Sequence, residues 1–181
     1  MTELSPAIPR IAVRETSKAP AAPVQRDLSH VPPDAVADVI ALLQAPFDLD
    51  LDAVVVAMQA LNVDANALGY AVCEDDASYV RTLLYRDAYV EFLALTWKPG
   101  QRSRVHDHGN STCIVRIVEG VAREHLYEPR RPGKVKRAHW SRELKRGVVT
   151  RSPGEMTHSL GNDGDDVLVT LHVYSPPLSA R

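Results

Sequence analysis

Apolar residues follow two different rhythms along this chain. Between Pro33 and Leu61 they recur every three to four positions, the spacing that sets one face of a helix against a core. Pro33-Asp34 opens the first such run, Ala35 to Leu43, with proline suited to a first helical turn. Asp50 or Asp52 stands where a cap would start a second helix through 53–61. From Ser78 the rhythm shortens to two, which predicts strands. Segments 79–85 and 89–97 flank Arg86-Asp87-Ala88 as a hairpin, and 121–127 is expected to return along the preceding strand through a turn at Glu119-Gly120. The final strand, 167–174, alternates most clearly. Val169, Leu171 and Val173 share one face, and Thr170, His172 and Tyr174 share the other.

Residues 1–32 show neither rhythm. Pro6, Pro9, Pro20, Pro23 and Pro32 interrupt both helix interiors and central strands, so this part reads as a flexible Pro/Ala-rich tail. The expected organisation is therefore a tail over 1–32, a helical preface over 33–77 packing on the sheet, and a mainly β region over 78–181. At 181 residues the chain is long enough for one domain with a real core.

Composition narrows the field by exclusion. Hydrophobic content of 45% and charged content of 24% are ordinary for a globular protein. A net charge of −2 gives no global reason to expect nucleic acid or an anionic membrane as partner. The basic run Arg130, Arg131, Lys134, Lys136, Arg137, Arg142, Lys145 and Arg146 surrounds a Pro132-Gly133 turn and reads as a solvated hairpin. Two cysteines, Cys73 and Cys113, make no disulfide framework. No apolar run has the length of a signal peptide or a membrane span, so a cytoplasmic monomer is expected.

The chemistry concentrates in His106-Asp107-His108. On an extended chain the two histidines project to one side and Asp107 to the other, which is what shared coordination of an ion needs. Such a pair alone also occurs by chance. Here Gly100 and Gly120 bracket it, and a second cluster follows with Gly147, Pro153-Gly154, His158 and Asn162. This two-part arrangement resembles the cupin superfamily, which implies a small, jelly-roll-like β-barrel holding a metal near its axis. Cys113 stands where cupins usually carry a glutamate ligand, and Glu155 where they more often have glycine. The cysteine, together with Asn110-Ser111, Tyr79-Val80-Arg81 and Leu171-His172-Val173-Tyr174-Ser175-Pro176-Pro177, is similar to the cysteine dioxygenase branch.

That resemblance implies a set of roles. His106, His108 and His158 would bind Fe(II). Arg81, helped by Tyr79, would hold a substrate carboxylate, since a guanidinium fork matches two carboxylate oxygens. Tyr174, His172 and Thr170 would form a hydrogen-bond relay, with Thr170 where the family usually has serine. Cys113 would lie beside Tyr174, and some members join these two residues by a thioether. Imidazole donors by themselves suit zinc, copper, nickel and iron alike. Three neutral ligands leave the ion more positive than a two-histidine, one-carboxylate site, which suits a substrate that brings its own anion, as a thiolate does. The implied partners are a small thiol and O2. Two other readings stay open: a dioxygenase for another thiol acid such as 3-mercaptopropionate, whose enzymes tend to carry glutamine at the position of Arg81, and a metal-binding cupin without turnover. His30, His125 and His139 have no matching context and read as surface or structural residues, and Cys73 as a packing residue.

Overall fold

The structure is a computed structural model that describes residues 21–44, 49–128 and 138–178. The helical rhythm resolves into a 3-10 turn over Asp34–Val36 leading into α1 (Ala37–Leu43), then α2 (Leu51–Ala60) and a short α3 (Ala65–Leu68). Of the two candidate caps, Asp50 is the one used, its carboxylate accepting from the Asp52 amide at 2.8 Å. Asp64 caps α3 in the same way through Ala67 N at 2.8 Å. A four-residue helix is too short to show a period, so spacing gave no sign of it.

The strands are β1 (Val24–Asp27), β2 (Val80–Arg86), β3 (Glu91–Trp97), β4 (Thr112–Glu119), β5 (Val121–Tyr127), β6 (Ala138–Lys145), β7 (Val149–Ser152), β8 (His158–Asn162) and β9 (Leu168–Ser175). They form a six-stranded sheet in the order β1-β2-β3-β9-β4-β7 and a three-stranded sheet in the order β6-β5-β8. At the predicted first hairpin, Asp87 accepts from Tyr89 N at 2.7 Å and Val90 N at 2.8 Å, a side-chain turn that sets the β2–β3 connection.

Two expectations are corrected here. Part of the supposed tail is structured: Val24–Asp27 pairs in parallel with β2, because the edge of β2 opposite β3 is open to a further strand. Residues 1–20 lie outside the described residues. The second predicted hairpin does not form either. β4 already has β9 and β7 as neighbours, and β5 has β6 and β8, so neither strand has an edge left for the other. Glu119-Gly120 instead carries the chain from one sheet to the other. Gly120 sits at φ 76°, and a Cβ there would come within 2.9 Å of the Val167 carbonyl, so this corner accepts only glycine without strain.

The six-stranded sheet is buried on both faces, which separates the core in two. Its outer face, with Leu84, Phe92, Ala94, Ile114, Val118, Val169, Leu171 and Val173, packs against Val36, Val39, Leu43, Val54, Met58 and Leu68 of the helical segment. Its inner face, with Leu93, Leu95, Trp97, Cys113, Val115, Ile117 and Tyr174, meets Ala122, Leu144 and Leu160 of the smaller sheet. Arg116 fastens the first layer. Its guanidinium donates to the carbonyls of Met58, Gln59 and Leu61 at the end of α2, where the helix leaves acceptors unpaired and its dipole favours a cation. Burial on both faces follows from the inner polar row of β9 turning inward rather than to water. No helix among the described residues is long and apolar enough to cross a membrane.

Candidate metal centre

The His-x-His stretch was expected on a strand, and this is corrected. β4 begins only at Thr112, and residues 100–106 run as irregular extended chain beside β8. The pairing is nonetheless close. His106 N donates to His158 O at 2.9 Å and His158 N to His106 O at 2.8 Å, with further bonds from Ser103 N to Leu160 O and Asn162 N to Gln101 O. The pairing to β8 is limited to isolated bridges at Arg102–Gly161 and His106–His158, and the tight turn at 109–110 ends the extended run before it becomes a strand. The extended geometry alone is enough to bring the two imidazoles to one side, with ring centroids 5.0 Å apart, while Asp107 is turned outward and accepts from Gly109 N.

His108 is positioned by the second motif. Its amide donates to Gly154 O at 2.8 Å, and a Cβ on Gly154 would collide with the Gly109 carbonyl oxygen. The two loops cross too closely for any side chain, which gives Gly154 its physical reason. Asn162 closes the other end of β8, donating to Trp97 O and Asp166 O and accepting from Gly164 N.

His106, His108 and His158 converge so that one ligand nitrogen from each lies within 4.8 Å of the others. His158 Nε2 and His108 Nε2 are 3.3 Å apart. Two nitrogens bound to one ion at about 2.0–2.1 Å stand roughly 3.0–3.4 Å apart, so the His108–His158 pair has metal-ligand spacing and the His106 nitrogen lies near enough to complete the set. The ring orientations agree: His106 uses Nδ1 toward Arg104 O at 2.7 Å, and His158 uses Nδ1 toward Glu124 Oε1 at 2.8 Å, turning both Nε2 atoms inward.

Beside this centre stands the inner row of β9. Trp97 Nε1 donates to Thr170 Oγ1 at 3.0 Å, Thr170 Oγ1 meets His172 Nε2 at 2.9 Å, and His172 Nδ1 meets the Tyr174 hydroxyl at 3.1 Å. Burial, then Arg81 and the neighbouring histidines, push His172 well below its usual pKa, so it is neutral. Burial, then nearby Cys113, raises Tyr174 well above the phenol range, so it keeps its proton. Cys113 lies directly across from Tyr174 in the β4–β9 register, and its Sγ is 4.0 Å from His172 Nδ1. Burial pushes its thiol pKa up to about 12, so it is not a thiolate at neutral pH.

Arg81 projects from β2 with its guanidinium 5.9 Å from the centre of the Tyr174 ring. Its Nε is buried with no hydrogen-bond partner among the described residues. Tyr79 stacks on Trp97 with ring centres 4.0 Å apart. All nine residues singled out from sequence therefore lie on one inner surface. His30 and His139 are exposed, whereas His125 is buried, its pKa lowered chiefly by that burial.

Sequence reasoning passed over three residues. Trp97 anchors the relay; it closes the predicted strand 89–97 in phase with Leu93 and Leu95, and alternation alone gave it no role beyond packing. Glu124, only 2% exposed, receives His158 Nδ1 on one oxygen and Arg142 Nε at 2.6 Å on the other. Burial works against its charge, but these two partners outweigh it and hold the carboxyl below its usual range. The signal was present, since Glu124 alternates with Ala122 and Leu126 on an inward face. Arg142 belonged to the run read as solvated; it instead turns toward Glu124. Arg130, Arg131, Lys134, Lys136 and Arg137 lie outside the described residues.

The comparisons agree with this geometry. Cysteine dioxygenase type 1 of Homo sapiens is 27% identical over 154 residues, covering 80% of this chain and 76% of its own length. The Rattus norvegicus protein of that name is 25% identical with the same coverage. Among solved structures, an uncharacterised protein with a double-stranded β-helix domain from Klebsiella pneumoniae superposes with a TM-score of 0.53 at 16% identity, over 61% of this chain and 83% of that one. A Thermus thermophilus protein gives a TM-score of 0.51 at 16% identity, over 60% and 93%. These two speak for the fold alone. The sequence profile of cysteine dioxygenase type I matches residues 27–181, and with the cupin-type barrel in place the chain belongs to that family of thiol dioxygenases.

Proposed function

We propose that the protein is an Fe(II)-dependent dioxygenase that oxidises L-cysteine to cysteine sulfinate. The observation that carries the choice of substrate is Arg81: a guanidinium beside the three-histidine centre, with a buried Nε that has no partner among the described residues. A carboxylate on a small thiol is the ligand that completes it. Iron held by His106, His108 and His158 would supply the redox chemistry that joins O2 to sulfur. Both oxygen atoms end on sulfur, so the reaction consumes no external reductant.

The remaining work falls to the chain's own groups. Arg81 fixes the carboxylate and thereby the reach of the thiol toward the histidines, which is catalysis by orientation. Trp97 can only donate, so Thr170 accepts from it and turns its own hydroxyl proton to His172 Nε2. His172 then carries its proton on Nδ1 and donates to the Tyr174 oxygen. The Tyr174 O–H is left to point into the pocket, where it donates to the substrate. The apolar inner face around Leu93, Leu95 and Val115 keeps bulk water from these bonds and strengthens them.

The test is oxygen consumption by iron-loaded protein with cysteine, cysteamine, 3-mercaptopropionate and mercaptosuccinate, with the sulfinate product identified by mass. Cysteine should turn over fastest and cysteamine, lacking a carboxylate, poorly. Preference for 3-mercaptopropionate would shift the substrate, and no uptake with any thiol would leave a metal-binding cupin without this activity.

A further inference from the structure

We infer that Glu124, anchored by Arg142, is a positioning residue for His158, bringing to the three-histidine centre the negative charge its own ligands lack. The inference deepens the metal-centre reading and rests on it. Glu124 lies on β5 opposite Arg142 of β6 and diagonal to His158, whose register partner on β5 is Leu126. Its two oxygens are divided between the neighbours: Oε1 receives His158 Nδ1 at 2.8 Å and Oε2 receives Arg142 Nε at 2.6 Å. Arg142 is itself held over the ring of Trp140, 5.4 Å from its centre.

Two physical consequences follow. A carboxylate accepting from Nδ1 fixes the His158 tautomer with its lone pair on Nε2, the atom that faces His108 Nε2 at 3.3 Å. A carboxylate on the outer nitrogen also makes a metal-binding imidazole more basic. The residue at the usual carboxylate-ligand position is Cys113, held as a neutral thiol by burial. The anion thus sits one layer further out and acts through His158. A merely structural Glu124 would be poorly explained, since burying a carboxylate carries a desolvation cost that a one-third-exposed arginine offsets only in part.

The experiment titrates metal-free, full-length protein with Co(II) against a competing chelator, following the visible bands, and records melting with and without Co(II). Glu124→Gln keeps the shape and removes the charge; it should weaken Co(II) binding about 10- to 100-fold and shift the bands. Its metal-free midpoint should move much less than its Co(II)-loaded one. Arg142→Met keeps the carboxylate but frees it, and should weaken binding in the same direction by a smaller factor. If Glu124→Gln fails to fold, Arg142→Met carries the test alone. Parent-like affinity and bands in the folded variants would overturn the inference, as would equal losses of midpoint with and without metal. Those results differ from failure of the centre itself, which would appear as a parent that binds no Co(II), or as His158→Ala binding it undiminished.

Discussion

Replacing Arg81 by methionine should separate binding from folding, because the two effects have opposite signs. Among the described residues the guanidinium lies over the Tyr174 ring at 5.9 Å, and its Nε is buried with no hydrogen-bond partner. Losing the aromatic contact costs about 0.5–1 kcal/mol. Removing a buried unpaired N–H relieves about 1–3 kcal/mol. The net is roughly 0–2.5 kcal/mol in favour of the variant, a melting midpoint unchanged or up by several degrees for a chain of this size. With cysteine the sign reverses. A hydrogen bond to a charged group is worth about 1.5–3 kcal/mol, so apparent affinity should fall roughly 10- to 150-fold. Cysteamine has no carboxylate to lose, and its rate should hardly change. The assay is oxygen uptake against thiol concentration for both substrates, beside a thermal melt of the metal-free protein. A midpoint several degrees lower, with cysteine and cysteamine rates falling together, would refute the reasoning and make Arg81 a structural residue.

Three further outcomes are expected. His106→Ala, His108→Ala and His158→Ala should each lose iron, measured by metal analysis after reconstitution, together with oxygen uptake; a variant that retained full iron and turnover would remove its residue from the centre. Under native conditions a thiol-directed alkylating agent should label half-exposed Cys73 well before Cys113, whose thiol is buried with its pKa near 12, as peptide mass mapping would show; rapid labelling of Cys113 would contradict its burial. After many turnovers a fraction of the protein should carry a Cys113–Tyr174 thioether, formed by loss of the sulfur proton and one ring hydrogen to iron and O2. That fraction would be lighter by two hydrogens and run faster on a reducing denaturing gel, and neither change should appear in Cys113→Ser or Tyr174→Phe.

The inner surface was legible because alternation states which side chains share a face, and strong polar residues in one phase of an apolar strand need an explanation. Thr170, His172 and Tyr174 are such a row, and Tyr79 and Arg81 share a face by the same counting. Pairing was not legible. Nothing local says whether a strand after Gly120 returns along β4 or crosses to the other sheet, because the answer depends on edges already taken by β7 and β9, distant in sequence. β1 was hidden for a related reason: four residues in a proline-rich stretch acquire their strand only from the open edge of β2. Glu124 and Arg142 were missed because charge was read as exposure. A carboxylate in an inward phase was the available clue, and the partner that makes its burial tolerable lies across the sheet.

The polar row on β9 also bears on how the fold chooses its register. Because both faces of the six-stranded sheet are buried, hydrophobicity alone does little to tell one phase of β9 from the other. A slip by one residue would put Val169, Leu171 and Val173 into the pocket and press Thr170, His172 and Tyr174 against the helices. Valine and leucine would tolerate either side. The polar groups would not, since the helical face offers Met58, Val54 and Leu68, while the inner face supplies Trp97 Nε1 and the relay itself. Three buried polar groups without partners would cost roughly 3–9 kcal/mol at about 1–3 each. That is comparable with the whole net stability of a domain, about 5–15 kcal/mol. The hydrogen-bonded row proposed to aim Tyr174 at the substrate therefore also fixes the strand that carries it, with Trp97 as its anchor.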